Sequence, residues 1–167
     1  MRNAIVTEQA PKPSGPYSQG IIEGDFIFVA GQGCKNPLTG MPELGDVRSE
    51  TKRTFENVRA ILQAAGSSLD HVVKCNVYLR DINDFAAMNE VYATFFTAPF
   101  PARTTIQAGA LPGGIAVEIE CIAKRPRQWT RSSSTHPPSM SISTCSSATS
   151  LGCSSNVVRG ASRSGRT

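Results

Sequence analysis

The sequence lacks any long apolar run, and its N-terminal segment is poor in both apolar residues and arginine. No stretch is long enough to span a bilayer as a helix. Residues 1–17 have neither the apolar region of a secretory signal nor the arginine-rich, amphipathic character of a transit peptide. We therefore expect a soluble protein with no membrane partner, located in the cytoplasm, and a mitochondrial location stays open.

Histidine and paired cysteine motifs are also scarce. The chain has two histidines, and only His71 lies before residue 127. Its five cysteines are odd in number, and no two of them show a C-x-x-C spacing. Such a pattern is not typical of a disulfide framework or a zinc site, so we expect no metal site. A single histidine at the start of a strand is more often structural than catalytic, and we assign His71 no role.

Acidic residues are absent after Pro126, where serine, threonine and five arginines dominate. Without those arginines the formal net charge of +4 falls by five, to −1 for residues 1–126. This near-neutral part gives no electrostatic reason to expect a nucleic-acid partner. We divide the chain into a domain at 1–126 and a tail at 127–167, which we predict to be disordered because it cannot bury enough apolar surface. The tail is a phosphorylatable extension, a weak nucleic-acid contact or an appended segment without function, and we favour the last.

Hydrophobic periodicity within residues 1–126 predicts an α+β fold. Three strands are followed by a helix, a strand, a helix and two strands. The expected boundaries are strands at 3–8, Tyr17 to about Ile22, Phe26 to Gln32 and His71 to Asp81, with a helix from Val47 to Ala65 and a second helix capped by Asp81. Two helices can cover only one face of the sheet. We expect the apolar second face to pack against other subunits, which makes the protein a homo-oligomer.

One arginine and one glutamate are the strongest candidates for chemistry. Arg103 follows a rigid Pro-Phe-Pro segment and offers a planar fork of donors that suits a carboxylate. Glu118 lies in a strand of alternating character, where Val117 and Ile119 face one way and Glu118 and Glu120 the other. A carboxylate in that position is able to orient a water molecule. From spacing alone, a salt bridge between Arg103 and Glu118 that ties two strands together is the slightly favoured alternative.

Five short motifs together resemble the RidA family over residues 3–125. The motifs are Pro-Tyr-Ser-Gln-Gly at 16–20, Val-Ala-Gly-Gln at 29–32, Thr-Phe-Glu-Asn-Val at 54–58, Pro-Ala-Arg-Thr at 101–104 and Val-Glu-Ile-Glu at 117–120. The resemblance implies a chorismate-mutase-like fold, a single mixed sheet with two helices on one face. It also implies a homotrimer with a cleft at each subunit interface.

The same resemblance implies an activity. The family is associated with cofactor-free hydrolysis of reactive 2-imino acids, which pyridoxal-phosphate enzymes release, to 2-oxo acids and ammonia. Arg103 then matches the catalytic arginine and Glu118 the acidic residue of the cleft. Substrate-binding positions are expected at Tyr17, Gly31, Asn89 and Thr105. The residue after the arginine is commonly serine in the family and is Thr104 here, and Thr105 stands where a cysteine is often found.

Two other functions stay open at this point. An endoribonuclease or translation-inhibitor activity is also ascribed to the family. The residues before 127 contain no histidine pair, no basic groove and no aromatic stacking platform on a positive face, which disfavours RNA cleavage. The other alternative is a non-catalytic trimer that binds a ligand or acts as a chaperone.

Overall fold

The computed structural model describes residues 2–126, and eight main elements follow in the predicted order. The strands are β1 (Asn3–Ile5), β2 (Gly20–Glu23), β3 (Phe26–Gln32), β4 (Val72–Leu79), β5 (Ala102–Gln107) and β6 (Val117–Lys124). The helices are α1 (Val47–Ala64) and α2 (Phe85–Phe95). Neither helix is long and apolar enough to cross a membrane. The predicted tail at 127–167 lies outside the described residues.

All six strands form one mixed sheet in the order β1-β2-β3-β6-β4-β5. Only β4 and β5 run parallel, and the other neighbours are antiparallel. Both helices pack on the same face, where alternate strand residues and the helix stripes form one core. The expected α+β architecture, with a single mixed sheet and two helices on one face, is confirmed.

Helix α1 begins and ends where its sequence indicates. The Asp46 side chain caps its first turn by accepting a hydrogen bond from the Ser49 N–H at 2.8 Å. Gly66 follows the last turn with a positive φ of 75°, which glycine adopts without strain. The residues at helical spacing on its inner face are buried, among them Phe55, Val58, Ile61 and Leu62. The sheet and α1 thus bury one continuous apolar surface.

The first two strands are shorter than predicted. β1 ends at Ile5, and the backbone N–H of Thr7 donates to the Gln19 side chain at 2.8 Å instead of continuing a ladder. β2 begins at Gly20 because Tyr17 lies in a turn, closed by its N–H donating to the Gly15 carbonyl at 2.8 Å. The predicted strand from Tyr17 was therefore wrong at its start. This turn leaves the Tyr17 side chain outside the sheet.

Two later boundaries also move because short 3₁₀ turns precede the elements. Leu69–His71 forms one such turn, so β4 begins at Val72 rather than at the preceding histidine. Asp81 does act as a cap, but it caps the 3₁₀ turn Ile82–Asp84, and α2 starts only afterwards. Sequence signals of this kind mark the start of a helical turn without fixing which helix type follows.

The sheet face opposite the helices is open in the protomer. Along β6, Val117, Ile119 and Cys121 are buried towards the helices, while Glu118, Glu120 and Ile122 point the other way, as the alternation predicts. Large apolar side chains with at least 40% of their surface exposed lie on this open face at Phe26, Phe28 and Ile106. An apolar face of this kind is typical of subunit contact. The homotrimer nevertheless stays a prediction, since a single chain does not test it.

Candidate active site

A cavity of about 430 Å³ lies at the open face of the sheet. Its walls come from the segment before β2, the end of β3, the loop after β3 and the outward-pointing residues of β6. The side chains and backbone that line it include Tyr17, Gly31, Lys35, Glu118 and Glu120. Three of the residues predicted to form the site, Tyr17, Gly31 and Glu118, therefore share one cavity.

The closest approach in this cavity is between Gly31 and Glu118. A Cβ atom added at Gly31 would overlap the Oε1 atom of the Glu118 carboxylate. The absence of a side chain at Gly31 is therefore what allows the carboxylate to lie against the backbone of β3.

Glu118 and Glu120 point to the same face but have different surroundings. Burial raises the pKa of Glu118, the negative charge of Glu120 raises it further, and the Lys35 ammonium partly opposes both effects. Glu120 already accepts hydrogen bonds from Asn76 at 2.8 Å and from the Tyr78 hydroxyl at 3.1 Å. Glu118 thus combines a raised proton affinity with a place in the cavity wall.

Tyr17 lines the same cavity with about half of its surface exposed. Its hydroxyl accepts a hydrogen bond from the Ser14 backbone N–H at 3.2 Å and lies 3.4 Å from the Ser14 hydroxyl. These hydrogen bonds lower the pKa of Tyr17. The turn between Ser14 and Tyr17 therefore fixes the ring at the edge of the cavity. We name Tyr17, Gly31 and Glu118 the glutamate half-site.

Arg103 lies in a second cluster between β5 and α2. One guanidinium nitrogen donates to the Asn89 Oδ1 atom at 2.8 Å. The guanidinium carbon lies 4.4 Å from the centroid of the Tyr92 ring and 5.5 Å from that of Phe85, both distances typical of cation–π contacts. The amide and the two rings together hold the guanidinium plane in one orientation.

Thr105 is the next residue of β5 on the same face as Arg103. Its hydroxyl oxygen is inaccessible to solvent and has no hydrogen-bond partner within residues 2–126. A buried hydroxyl without a partner is costly in free energy. We name Asn89, Arg103 and Thr105 the arginine half-site.

The strand register places the two half-sites on opposite faces of the sheet. Arg103 is aligned with Cys75 of β4, which is buried under the helices. Glu118 is aligned with Tyr78, an odd number of residues further along the same strand, so it points to the open face. The alternative of a salt bridge between Arg103 and Glu118 within one chain is therefore wrong.

Sequence reasoning missed two residues that belong to these clusters. Tyr92 follows Asn89 by three residues on α2, so helical spacing places it on the same side. Lys35 follows the glycines that end β3 and lines the cavity with Glu118, but loop residues carry no periodicity that would have placed it. Within residues 2–126 no three His, Cys, Asp or Glu side chains group as metal ligands.

Comparison with known proteins defines the class to which this fold and cavity belong. A RutC family protein of Pyrococcus horikoshii is 51% identical over 123 residues, which cover 74% of this chain and 98% of the relative. The 2-iminobutanoate/2-iminopropanoate deaminase of Escherichia coli is 42% identical over 128 residues, 75% of this chain and 99% of the relative.

Solved structures give the same result. RidA from an Antarctic Psychrobacter species is 42% identical with a TM-score of 0.71, and the match covers 73% of this chain and 98% of that one. TdcF of Escherichia coli, solved with bound serine, is 41% identical with a TM-score of 0.70, over 74% of this chain and 98% of that one.

The family assignment follows from the extent of these matches. The Endoribonuclease L-PSP family matches residues 7–125. The chain therefore belongs to this family, which includes RidA. The resemblance stated for residues 3–125 is confirmed over almost all of that range. The relatives carry different names, since some are deaminases, others are RutC proteins and the family itself is named after a ribonuclease.

Proposed function

We propose that this protein hydrolyses reactive 2-imino acids to 2-oxo acids and ammonia without a cofactor, at clefts between the subunits of a homotrimer. The observation that carries the proposal is the pair of half-sites, each of which is incomplete in one chain. The arginine half-site offers donors for a carboxylate, and the glutamate half-site offers a base. Contact between the edge of one subunit and the open face of the next would bring them together.

The arginine half-site would bind the carboxylate of the imino acid. Asn89 occupies one side of the Arg103 guanidinium, and the remaining N–H groups are able to form a bidentate pair with a carboxylate. The rings of Tyr92 and Phe85 hold the Arg103 guanidinium in one orientation, so the side chain loses less conformational entropy when the substrate binds. The serine bound to TdcF carries a carboxylate of the same kind, which supports this assignment.

The glutamate half-site would activate the water. In the proposed reaction the water oxygen attacks the carbon of the C=N bond while Glu118 accepts one proton. Glu118 delivers this proton to the imine nitrogen, which becomes the amino group of a carbinolamine. Glu118 then moves the remaining hydroxyl proton to that nitrogen as the C–N bond breaks and the carbonyl forms. Imine and water thus give the 2-oxo acid and ammonia with no other reactant. The raised pKa of Glu118 suits a group that both accepts and returns a proton.

Thr105 and Tyr17 would complete the cleft from its two sides. The unpaired hydroxyl of Thr105 lies on the same face of β5 as Arg103, and a rotation about its Cα–Cβ bond would let it donate to the substrate carboxylate or the amine. Tyr17 lines the opposite half and would limit the access of bulk water. Fixed positions for substrate and water replace a bimolecular encounter, which lowers the entropic part of the activation barrier. Because an imine already hydrolyses in water, this positioning is the main contribution that the protein has to make.

The test is a coupled assay with purified full-length protein. A threonine dehydratase releases the imine, semicarbazide competes for it, and 2-oxobutyrate formation is followed. We expect wild type to accelerate release and Arg103→Ala to lose the acceleration. Arg59→Ala is the matched control. Arg59 is an exposed residue of α1, and its guanidinium also contacts an aromatic ring, that of Phe95 in α2. Equal rates with and without folded wild-type protein would overturn the deaminase proposal.

The same preparations separate the alternatives. RNA cleavage would weaken steeply as salt rises, because it depends on phosphate contacts, whereas imine hydrolysis would change little. Among residues 2–126 no histidine lines the cavity at the open face, because His71 lies in the 3₁₀ turn before β4, beside Ser68. A chaperone-like role would survive Arg103→Ala, and aggregation of a denatured client protein would report it.

A further inference from the structure

Lys35 is a cation inside the glutamate half-site cavity that the proposed reaction does not use. Its side chain lines the cavity with Tyr17 and Glu118, and its charge acts on both of those groups. The ammonium has one hydrogen bond within residues 2–126, a long one of 3.5 Å to the Ser14 hydroxyl. Three N–H donors with a single weak neutral partner leave the ammonium available for an anion.

The backbone around Lys35 is held in place. The Asn57 side chain, buried in α1, donates to the carbonyl oxygen of Lys35 at 2.9 Å and to that of Gly33 at 3.0 Å. Lys35 also forms an isolated antiparallel bridge with Pro42 across the loop. The backbone position from which Lys35 reaches the cavity is therefore set by the fold and not by a free loop. Lys12 adds a second cation to the wall of the same cavity.

We infer that the cleft favours 2-imino acids that carry a second carboxylate on the side chain. This inference rests on the proposed function and names the substrate class of the same site. Arg103 of one subunit would bind the carboxylate next to the imine carbon. Lys35 of the neighbouring subunit would bind the side-chain carboxylate, beside the Glu118 that activates the water. An apolar side chain would instead leave the Lys35 ammonium with no anion other than the carboxylates of the cavity wall.

A competing role for Lys35 has different consequences. If Lys35 only lowers the proton affinity of Glu118, its removal slows the hydrolysis of every imino acid equally and moves the acidic limb of the pH profile upwards. If Lys35 binds the substrate, its removal changes the ratio between substrates. The ratio of kcat/KM values for two substrates is therefore the readout, and the pH profile is measured beside it.

The experiment compares two imines with the same carbon chain. Amino acid oxidases produce 2-iminoglutarate from glutamate and 2-iminopentanoate from norvaline, which differ by a terminal carboxylate in place of a methyl group. We expect full-length wild type to prefer 2-iminoglutarate and Lys35→Met to reduce that preference about tenfold, as expected for the loss of one charge-assisted hydrogen bond. Lys35→Arg retains the preference, and Lys52→Met, which removes an exposed lysine of α1, leaves it unchanged.

A binding measurement keeps the two proposals distinguishable. Calorimetry with 2-oxoglutarate and 2-oxopentanoate reports the same discrimination without any turnover. Tighter binding of 2-oxoglutarate that is lost in Lys35→Met supports the inference, even where hydrolysis is absent and the proposed function fails. Equal binding and equal hydrolysis of both compounds by wild type overturns the inference while the deaminase activity stands. An equal fall in kcat/KM for both substrates in Lys35→Met also overturns the inference.

Discussion

At the scale of single residues, the contact between Gly31 and Glu118 decides where the proposed base lies. Gly31→Ala places a methyl group where the carboxylate oxygen now is, so the carboxylate has to move. We expect kcat/KM for imine hydrolysis to fall about 100-fold, because a shift of about 1 Å in a reacting group has this order of effect. The coupled assay with semicarbazide measures it.

A matched control exists for this change. Gly109→Ala adds the same methyl group at an exposed position with no atom within 4 Å, and we expect it to leave activity unchanged. Circular dichroism checks that both variants keep their secondary structure. Full activity in a folded Gly31→Ala protein would show that the position of Glu118 does not matter for the reaction.

The proton affinity of Glu118 predicts the pH dependence of the reaction. Its pKa lies above the ordinary range for a glutamate because of burial and the nearby Glu120 charge. The ionised form is the base, so the rate should rise with pH through this raised pKa, and its acidic limb should lie above the pH at which an ordinary glutamate titrates. Rates corrected for spontaneous hydrolysis give the limb. The Glu118→Gln variant should hydrolyse the imine slowly and show no acidic limb in its pH profile. An identical acidic limb in Glu118→Gln would assign that limb to another group.

The same shift has a consequence for stability, with a definite sign. The folded chain holds the Glu118 proton more tightly than the unfolded chain does, so ionisation works against folding. Stability should therefore fall as pH rises from the ordinary carboxyl pKa through the raised one. We expect Glu118→Gln to melt at a higher temperature than wild type at neutral pH, and this advantage to vanish in acid. Both proteins are compared at one concentration, because any subunit association makes the melting temperature depend on concentration.

At the scale of elements, the sequence predicts the strongly periodic segments well, but it predicts the geometry of the site only in part. The stripe of α1 and the alternation of β6 both face a core, so the side-chain pattern records which face is buried. Residues 102–107 of β5 form an edge strand whose side chains are all partly or fully exposed, and no alternation reveals their orientation. The sequence could therefore identify Arg103 as a candidate without placing it on the face opposite Glu118.

Helix α1 is joined to the start of β6 by a buried glutamate. Glu50 is 1% exposed, and its carboxylate accepts from the Ala116 N–H at 2.6 Å and from the Gly45 N–H at 3.2 Å. Glu50→Gln replaces one acceptor oxygen by an amide nitrogen that faces a backbone donor. We expect the free energy of unfolding to fall by about 2 kcal/mol, the cost of a buried donor left without an acceptor. Urea unfolding followed by circular dichroism measures it.

The control for Glu50 lies on the same helix. Glu56→Gln changes the same side chain where its ion pair with Arg53, at 3.0 Å, is partly exposed. Such pairs contribute at most about 1 kcal/mol, so this variant should stay close to wild type. Equal stability of the Glu50 and Glu56 variants would mean that the buried carboxylate does not tie α1 to β6.

At the scale of the whole molecule, the position of β5 makes a shared site feasible. β5 is an edge strand of the sheet formed by residues 2–126, so Arg103 lies near the border of the protomer. The cavity with Glu118 opens on the face that carries the exposed Phe26 and Phe28. Burial of such a face between subunits would remove apolar surface from water and bring an edge of one chain to the cavity of the next.

Mixed oligomers test whether the half-sites meet between chains. Arg103→Ala chains keep an intact glutamate half-site, and Glu118→Ala chains keep an intact arginine half-site, so each homotrimer should be inactive. If the two variants are unfolded together and reassembled in equal amounts, about a quarter of the interfaces combine the two intact halves by random pairing. We expect about a quarter of the wild-type activity, with native mass spectrometry confirming mixed trimers. Mixed trimers without activity would show that neighbouring subunits do not complete each other's sites, because only a shared cleft allows two inactive chains to restore hydrolysis.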